Sequence, residues 1–326
     1  MFKQARLLFL YTETPLHVGS GSSLGTVDLP IQRESHTNFP MIQSTGIKGK
    51  LRNVFENNGL GNDVDVVKVV NAIFGSESSN AGALSPGDGR LLLFPVRSLA
   101  GVFAWITCPF VISRLQRDLA ICKNREQGTG NGKQEEDTVQ NMRISEPESN
   151  QAYVPKGSKL IIDKAIVLEE FSFEVQSNHN GIKALAEWLA ENALPQSNEY
   201  EFWRNKLKKD LVVVSDDTFK DFCKFSTDVV SRIKLNTETK IAEKGALWTE
   251  ENLPADALLY TPLFACNPRQ DKVIKIENKE LNAELILELM ENNFSGKRLQ
   301  LGGNETVGRG IVATRMMGKK EDKTNG

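Results

Sequence analysis

The chain's 326 residues, 40% hydrophobic and 25% charged, are enough to bury a substantial core as one large domain or two small ones. The N-terminal run has the form of neither a signal peptide nor a membrane span, which predicts a cytoplasmic protein. The four cysteines (Cys108, Cys122, Cys223, Cys266) lie far apart without a CxxC pair, which speaks against a disulfide framework and a zinc site. The formal net charge of −2 conceals two basic ends: residues 1–52 carry six Lys/Arg against three acids, and residues 295–326 seven against three. A nucleic-acid face is therefore permitted if it is local.

Arg6–Thr12, rich in Leu, Phe and Tyr, predicts a first strand; a Gly/Ser loop over Gly19–Gly25 and then Val27-Asp28-Leu29-Pro30 follow. Ser44 is placed as the N-cap of a helix running through Lys48 and Leu51 to about Asn57. A second helix, near Asp63–Phe74, carries Val66, Val69, Val70 and Ile73 on one face and stops at Gly75. Arg90–Val96 and Val102–Thr107 read as paired strands, and Pro109 opens an amphipathic helix through Leu115 and Leu119. Residues 124–150 break the pattern. They are polar, nearly free of apolar residues, and hold three Lys/Arg against six Asp/Glu, which predicts a flexible insertion because core-like patterning resumes on both sides.

Lys159–Val175 reads as a long strand or a hairpin, and helices are predicted near Ile182–Asn192, Tyr200–Lys208 and Asp216–Phe225. Val229–Leu235, a turn at Asn236-Thr237-Glu238-Thr239, and Ile241–Trp248 form a hairpin whose arms are too polar for a core, so it is expected to project. Leu258–Cys266 is a strand and Asn278–Phe294 an amphipathic helix. The chain closes with Arg298–Leu301, a glycine loop, a last strand over Gly310–Met316, and a disordered tail at 318–326. Without a regular βαβ alternation, the order predicts an α+β fold with a mainly antiparallel sheet.

Two loops invite a functional reading. Gly19–Gly25 offers backbone N–H groups and Ser20, Ser22 and Ser23 to a phosphate, although a plain flexible loop accounts for it equally well. Leu301-Gly302-Gly303-Asn304-Glu305-Thr306-Val307-Gly308-Arg309-Gly310 suits a backbone wrapped closely around something, or a tight structural turn. Neither loop is a Walker A motif, and no strand–GxGxxG–helix fingerprint is present. Both absences count against a nucleotide-using small-molecule enzyme.

Gly46-Ile47-Lys48-Gly49-Lys50-Leu51-Arg52, taken with the C-terminal glycine loop, resembles the RAMP superfamily of CRISPR RNA-binding proteins. Four stretches narrow the resemblance to the repeated backbone subunit of type III-B (Cmr) complexes: Thr14–Gly21, Val27–Glu34, Leu93–Leu99 and Leu301–Gly310, in that order along nearly the whole chain. The polar insertion at 124–150 is longer than the family needs.

The resemblance implies a single RAMP domain over 1–326, with a ferredoxin-like (RRM-like) core, insertions, and a protruding thumb hairpin at 234–251. It also implies a filament of copies along a CRISPR RNA, with other Cmr subunits as partners and no membrane. Complementary target RNA would be cut at regular intervals with a divalent metal, Mg2+ or Mn2+. Asp28 matches the family's cleavage aspartate, as a metal ligand or as a group orienting water or the 2′-hydroxyl; on its own it reads as a turn-forming Asp. His17 is a candidate acid, base or phosphate contact, against the commoner structural histidine. Glu250 is a candidate assisting acid, against a solvated hairpin charge. Lys48, ahead of Lys50 and Arg52, is the candidate contact for guide phosphates, joined by Gly302, Gly303, Gly308 and Arg309. A non-catalytic guide-binding subunit is the alternative.

Overall fold

A computed structural model describes residues 2–58, 65–76, 81–126, 142, 144–176, 180–239, 242–269, 273–276 and 278–317. The strands, in chain order, are β1 (Gln4–Thr12), β2 (Met41–Ile42), β3 (Leu84–Pro86), β4 (Gly89–Arg97), β5 (Phe103–Thr107), β6 (Gln151–Tyr153), β7 (Ala165–Leu168) and β8 (Phe171–Gln176), followed by β9 (Leu211–Val213), β10 (Asp228–Leu235), β11 (Ala242–Asn252), β12 (Leu258–Ala265), β13 (Lys275–Ile276), β14 (Lys279–Glu280), β15 (Arg298–Gln300) and β16 (Ile311–Met316). The helices are α1 (Ser44–Asn58), α2 (Val66–Phe74), α3 (Pro109–Glu126), α4 (Asn180–Asn192), α5 (Glu201–Asp210), α6 (Asp216–Phe225) and α7 (Ala283–Phe294).

One mixed sheet organises the chain, in the order β15-β16-β1-β12-β4-β5-β9-β6-β8-β7, with β2 on β4 and β3 on β12. Its centre, β16-β1-β12-β4, is antiparallel throughout: Leu8 faces Met316, Gln4 faces Ala265, and Leu258 faces Leu93. Helix α1 lies between β1 and β4 in sequence, and α7 between β12 and β16. The mainly antiparallel expectation holds, with parallel exceptions at β5–β9 and β6–β8.

Strand β1 is buried from Ala5 to Thr12, because elements cover both of its faces. On one face Phe9 meets Trp188 of α4 at 6.2 Å between ring centroids, and Tyr11 meets Tyr200 at 6.2 Å. On the other, the buried Arg6 reaches Glu291 of α7 at 2.5 Å. Coverage on both sides explains why β1 reads as a continuous apolar run rather than an alternation.

Several predicted boundaries shift for identifiable reasons. Ser44 is the first helical residue of α1 rather than its cap: the Gly46 and Ile47 N–H groups bond the Gln43 carbonyl, and the Ser44 N–H donates to Asp88 Oδ1 at 2.8 Å. The helix expected from Asn278 begins at Ala283, since Lys279-Glu280 pair with Lys275-Ile276 and the Asn282 side chain caps Leu285 N at 2.9 Å. The stretch 159–175 is a hairpin rather than one long strand: Ala165–Leu168 pairs with Phe171–Gln176. All four cysteines are free and buried. The polar insertion at 124–150 falls largely outside the described residues, but Met142 and Ile144 are buried, so core packing has resumed by 142. Asp63, the hairpin residues 240 and 241, and the tail at 318–326 also lie outside the described residues.

Strands β10 and β11 pair only with each other among the described strands, in a register running from Asp228↔Asn252 to Leu235↔Ala242. The first arm is mostly exposed, and Val229, Ile233, Leu235 and Leu247 present apolar side chains to solvent. The base of the second arm is different: Glu250, Glu251 and Asn252 are buried.

Candidate functional site

The chain between β1 and β2 runs along the base of this hairpin. Leu16 bridges Leu253, Gly19 bridges Ile31, and Leu29 bridges Glu250 in parallel. The Leu29 N–H donates to the Thr249 carbonyl at 3.0 Å, and the Glu251 N–H donates to the Leu29 carbonyl at 3.0 Å. Residues 28–31 therefore lie on β11 like a short extra strand, although 221 residues separate Asp28 from its partner Thr249.

Asp28 is exposed, and its carboxylate is held from one side. Oδ2 accepts hydrogen bonds from the Thr249 N–H at 2.7 Å and the Thr249 hydroxyl at 2.8 Å. The Asp28 N–H returns to Thr249 Oγ1 at 3.0 Å. The Thr249 N–H first, and its hydroxyl second, hold the Asp28 carboxyl below its usual range. Both Thr249 donors go to Oδ2, so Oδ1 is the oxygen that Thr249 leaves unengaged.

Glu251 latches this segment to the body. Its Oε2 accepts from the Ile31 N–H at 3.0 Å, while Oε1 takes Arg33 Nη2 at 2.5 Å and the Thr227 hydroxyl at 2.8 Å. Arg33 also donates to the Asn38 and Cys223 carbonyls, which ties the loop to α6.

Glu250 is 3% exposed, not a solvated hairpin charge. Arg232 on the facing strand pairs with it at 3.2 Å, and Asn304 Nδ2 donates to it at 2.8 Å. Burial pushes its carboxyl up, but the hydrogen bond and charge of Arg232, the nearby His17 and the Asn304 amide outweigh burial and leave it below the usual range. The buried His17 sets its Nδ1 2.7 Å from the Glu251 carbonyl oxygen. A carbonyl only accepts, so Nδ1 carries the proton and Nε2 is the basic nitrogen of the neutral ring. A side chain at Gly19 would place its Cβ 2.9 Å from that Nε2.

The C-terminal glycine loop closes over His17. The Gly303 N–H donates to the His17 carbonyl at 2.9 Å, and a Cβ at Gly302 (φ +74°) would fall 2.3 Å from that same oxygen. Close backbone approach thus requires glycine at 302, while Gly302, Gly303 and Gly308 remain exposed. Arg309 is near enough to Asp228 to oppose the burial that raises that carboxyl.

The basic residues of α1 divide. Lys48 and Lys50 are half-buried and have no hydrogen bond or ion pair with a described residue, and burial, then Arg52, lowers the Lys48 pKa. Arg52 is occupied by Glu56 at 2.8 Å and the Gly75 carbonyl at 2.9 Å, so it braces α1 against α2. Asp28, His17 and Glu250 are thus gathered around the hairpin base together with Gly302 and Gly303, and the lysines of α1 belong to a separate element. The sequence did not disclose Thr249, Arg232, Asn304 or the Glu251 latch. Only Asn304, set among glycines and adopting φ +63°, carried a local signal.

Among the described residues, no three His, Cys, Asp or Glu side chains gather to hold a metal ion. None of the helices described is long and apolar enough to cross a membrane.

The profile of the RAMP superfamily matches residues 9–313. The chain belongs to the RAMP superfamily. A Pyrococcus furiosus protein named CRISPR system Cmr endoribonuclease Cmr4 is 38% identical over 99% of this chain and 98% of its own length. The crystal structure of oligomeric Cmr4 from the same organism superposes with a TM-score of 0.69 and 29% identity, covering 98% of this chain and 99% of that one. A chain of the type III-B Cmr-beta structure bound to cognate target RNA gives a TM-score of 0.72 over 97% of this chain and 98% of its own; at 20% identity that likeness concerns the fold alone. The RAMP match runs from within β1 to within β16, so the Asp28 segment, the hairpin and the glycine loop all fall inside it.

Proposed function

We propose that this RAMP chain is the repeated backbone subunit of a type III-B CRISPR effector complex, and that it binds guide RNA along a filament and cuts complementary target RNA at regular intervals. The observation that carries the reading is the exposed Asp28 carboxylate pinned to the base of a projecting hairpin. Full-length identity of 38% to a Cmr endoribonuclease supports it. We read β16-β1-β12-β4 with α1 and α7 as a ferredoxin-like core, supported by their order and antiparallel alternation. The hairpin over 228–252 serves as the thumb: its exposed Val229, Ile233, Leu235 and Leu247 offer an apolar wedge that can part stacked bases. Lys48 and Lys50, without a hydrogen bond or ion pair among the described residues, neutralise guide phosphates, and base pairing supplies sequence specificity.

The displaced nucleotide's 2′-oxygen attacks the adjacent phosphorus and the P–O5′ bond breaks. The products are a 2′,3′-cyclic phosphate and a 5′-hydroxyl. A base takes the 2′-hydroxyl proton, and the leaving 5′-oxygen receives one. With Oδ2 held by two Thr249 donors, the exposed Asp28 carboxylate suits an orienting or ion-holding role. We assign proton acceptance to His17 Nε2, the nitrogen left unprotonated in the neutral ring by the Nδ1–H bond to the Glu251 carbonyl. A single outward carboxylate suits an ion of the magnesium class shared with RNA phosphates, and such an ion would neutralise developing charge. Asp28 would be its protein ligand. The test assembles the protein with guide RNA and partner subunits and adds end-labelled complementary RNA with magnesium. Evenly spaced cuts, absent from a non-complementary RNA, support the reading; stable target binding with no cuts overturns the nuclease assignment.

A further inference from the structure

The Asp28 carboxylate sits on an exposed stretch of chain, where residues 19–26 are open to solvent. Its own loop supplies it with little: the Ser23 N–H bonds the Asp28 carbonyl at 2.8 Å, and the only local influence on the carboxylate is a minor one from the Asp28 backbone itself. The carboxylate's orientation comes instead from the second arm of the hairpin. Thr249 donates twice to Oδ2, accepts from the Asp28 N–H, and offers its carbonyl to the Leu29 N–H. One residue therefore engages the side chain and the backbone of the segment, and it does so from β11, where it pairs with Ser231 of β10. Two donors on one oxygen fix both the carboxylate's rotation and which oxygen turns outward.

We propose that Thr249 is the positioning residue of the cleavage site, anchoring Asp28 through Oδ2 so that Oδ1 faces the target nucleotide that the hairpin displaces. The inference rests on Asp28 being the cleavage residue. Its consequence is mechanical: the carboxylate is built onto the thumb's own strand, so the element that parts the duplex also sets the register of the reactive oxygen. A carboxylate left to the glycine-serine loop would sample other rotamers, and catalysis through positioning is sensitive to displacements of about 1 Å, which cost on the order of 100-fold in rate.

The test uses complexes assembled with guide RNA and carrying Thr249→Val, Thr249→Ser or Asp28→Asn. Valine keeps the β-branched shape and the backbone N–H bond while deleting the hydroxyl; serine restores it. Single-turnover cleavage is followed over a range of target concentrations, so that the maximal rate and the half-saturating concentration separate. We expect Thr249→Val to lower the maximal rate roughly 10- to 100-fold with half-saturation unchanged, and Thr249→Ser to restore most of the rate. Thr249→Val cutting at the wild-type rate beside an inactive Asp28→Asn overturns the inference and leaves the role of Asp28 standing. A Thr249→Val defect confined to target binding, or one that serine fails to relieve, also overturns it. Asp28→Asn cutting like wild type removes the reading beneath it and overturns both.

Discussion

Glu250 and Glu251 are consecutive acids at the hairpin base, and they have separable partners. Glu251→Ala deletes the acceptor for three donors: the Ile31 N–H, Arg33 Nη2 and the Thr227 hydroxyl. The Glu251 and Arg33 side chains are only 8% and 15% exposed, so the substitution strands a guanidinium with little access to water. Breaking a buried pair from one side costs about 3–5 kcal/mol. With an unfolding entropy of about 2.1 cal/mol/K per residue over 326 residues, that corresponds to a Tm lower by roughly 4–7 °C. Calorimetry of the isolated subunit measures it, with Glu251→Gln expected between the alanine variant and wild type because the amide oxygen still accepts from Ile31. A Tm drop below about 1 °C for Glu251→Ala would refute the latch and make Glu251 a dispensable charge.

The remaining predictions divide the surface between folding and function. Lys48→Ala should leave thermal stability unchanged and reduce the slope of log K for guide RNA against log salt by about 0.7, measured by filter binding. Arg52→Ala should do the reverse, losing about 1 kcal/mol of stability in a guanidinium titration with the salt slope intact. Gly19→Ala should slow target cutting at unchanged Tm, because its Cβ would press on His17 Nε2 from 2.9 Å; full activity would show that Nε2 takes no part. Acid should destabilise the fold through Glu34 as well as Glu250. Burial raises the Glu34 carboxyl, but bonds from Arg114 and Thr37 hold it below its ordinary 4.5, so the stabilisation is present above that pH and is lost as pH falls below it. Guanidinium midpoints between pH 3 and 7 should fall on the acid side, and Glu34→Gln should flatten that fall.

The long elements were legible because their apolar patterns are local: β1, β4, β12, α3, α6 and the β10–β11 hairpin follow from residues close together in sequence. Strands of two or three residues, such as β2, β3, β6 and β9, are too short to show a period, and their pairing is decided by distant partners. The start of α7 is not visible in the pattern because Lys279-Glu280 continue its polar face while their backbone pairs with β13. At the site, Asp28, His17 and Glu250 were found through family resemblance, whereas their support was not. Thr249 lies 221 residues from Asp28, and Arg232 and Asn304 reach Glu250 across a strand pair and from the C-terminal loop. The sequence places the glycine loop against RNA; in the fold its Gly302 is fixed first by the His17 backbone against which it packs.

The most direct measurement compares wild type and Asp28→Asn in complexes assembled with the same guide RNA and partner subunits, given labelled complementary RNA with magnesium. Wild type is expected to give evenly spaced cuts ending in 2′,3′-cyclic phosphate and the variant none, with equal target binding. Identical cutting by both would contradict this and move the chemistry to another residue or another subunit.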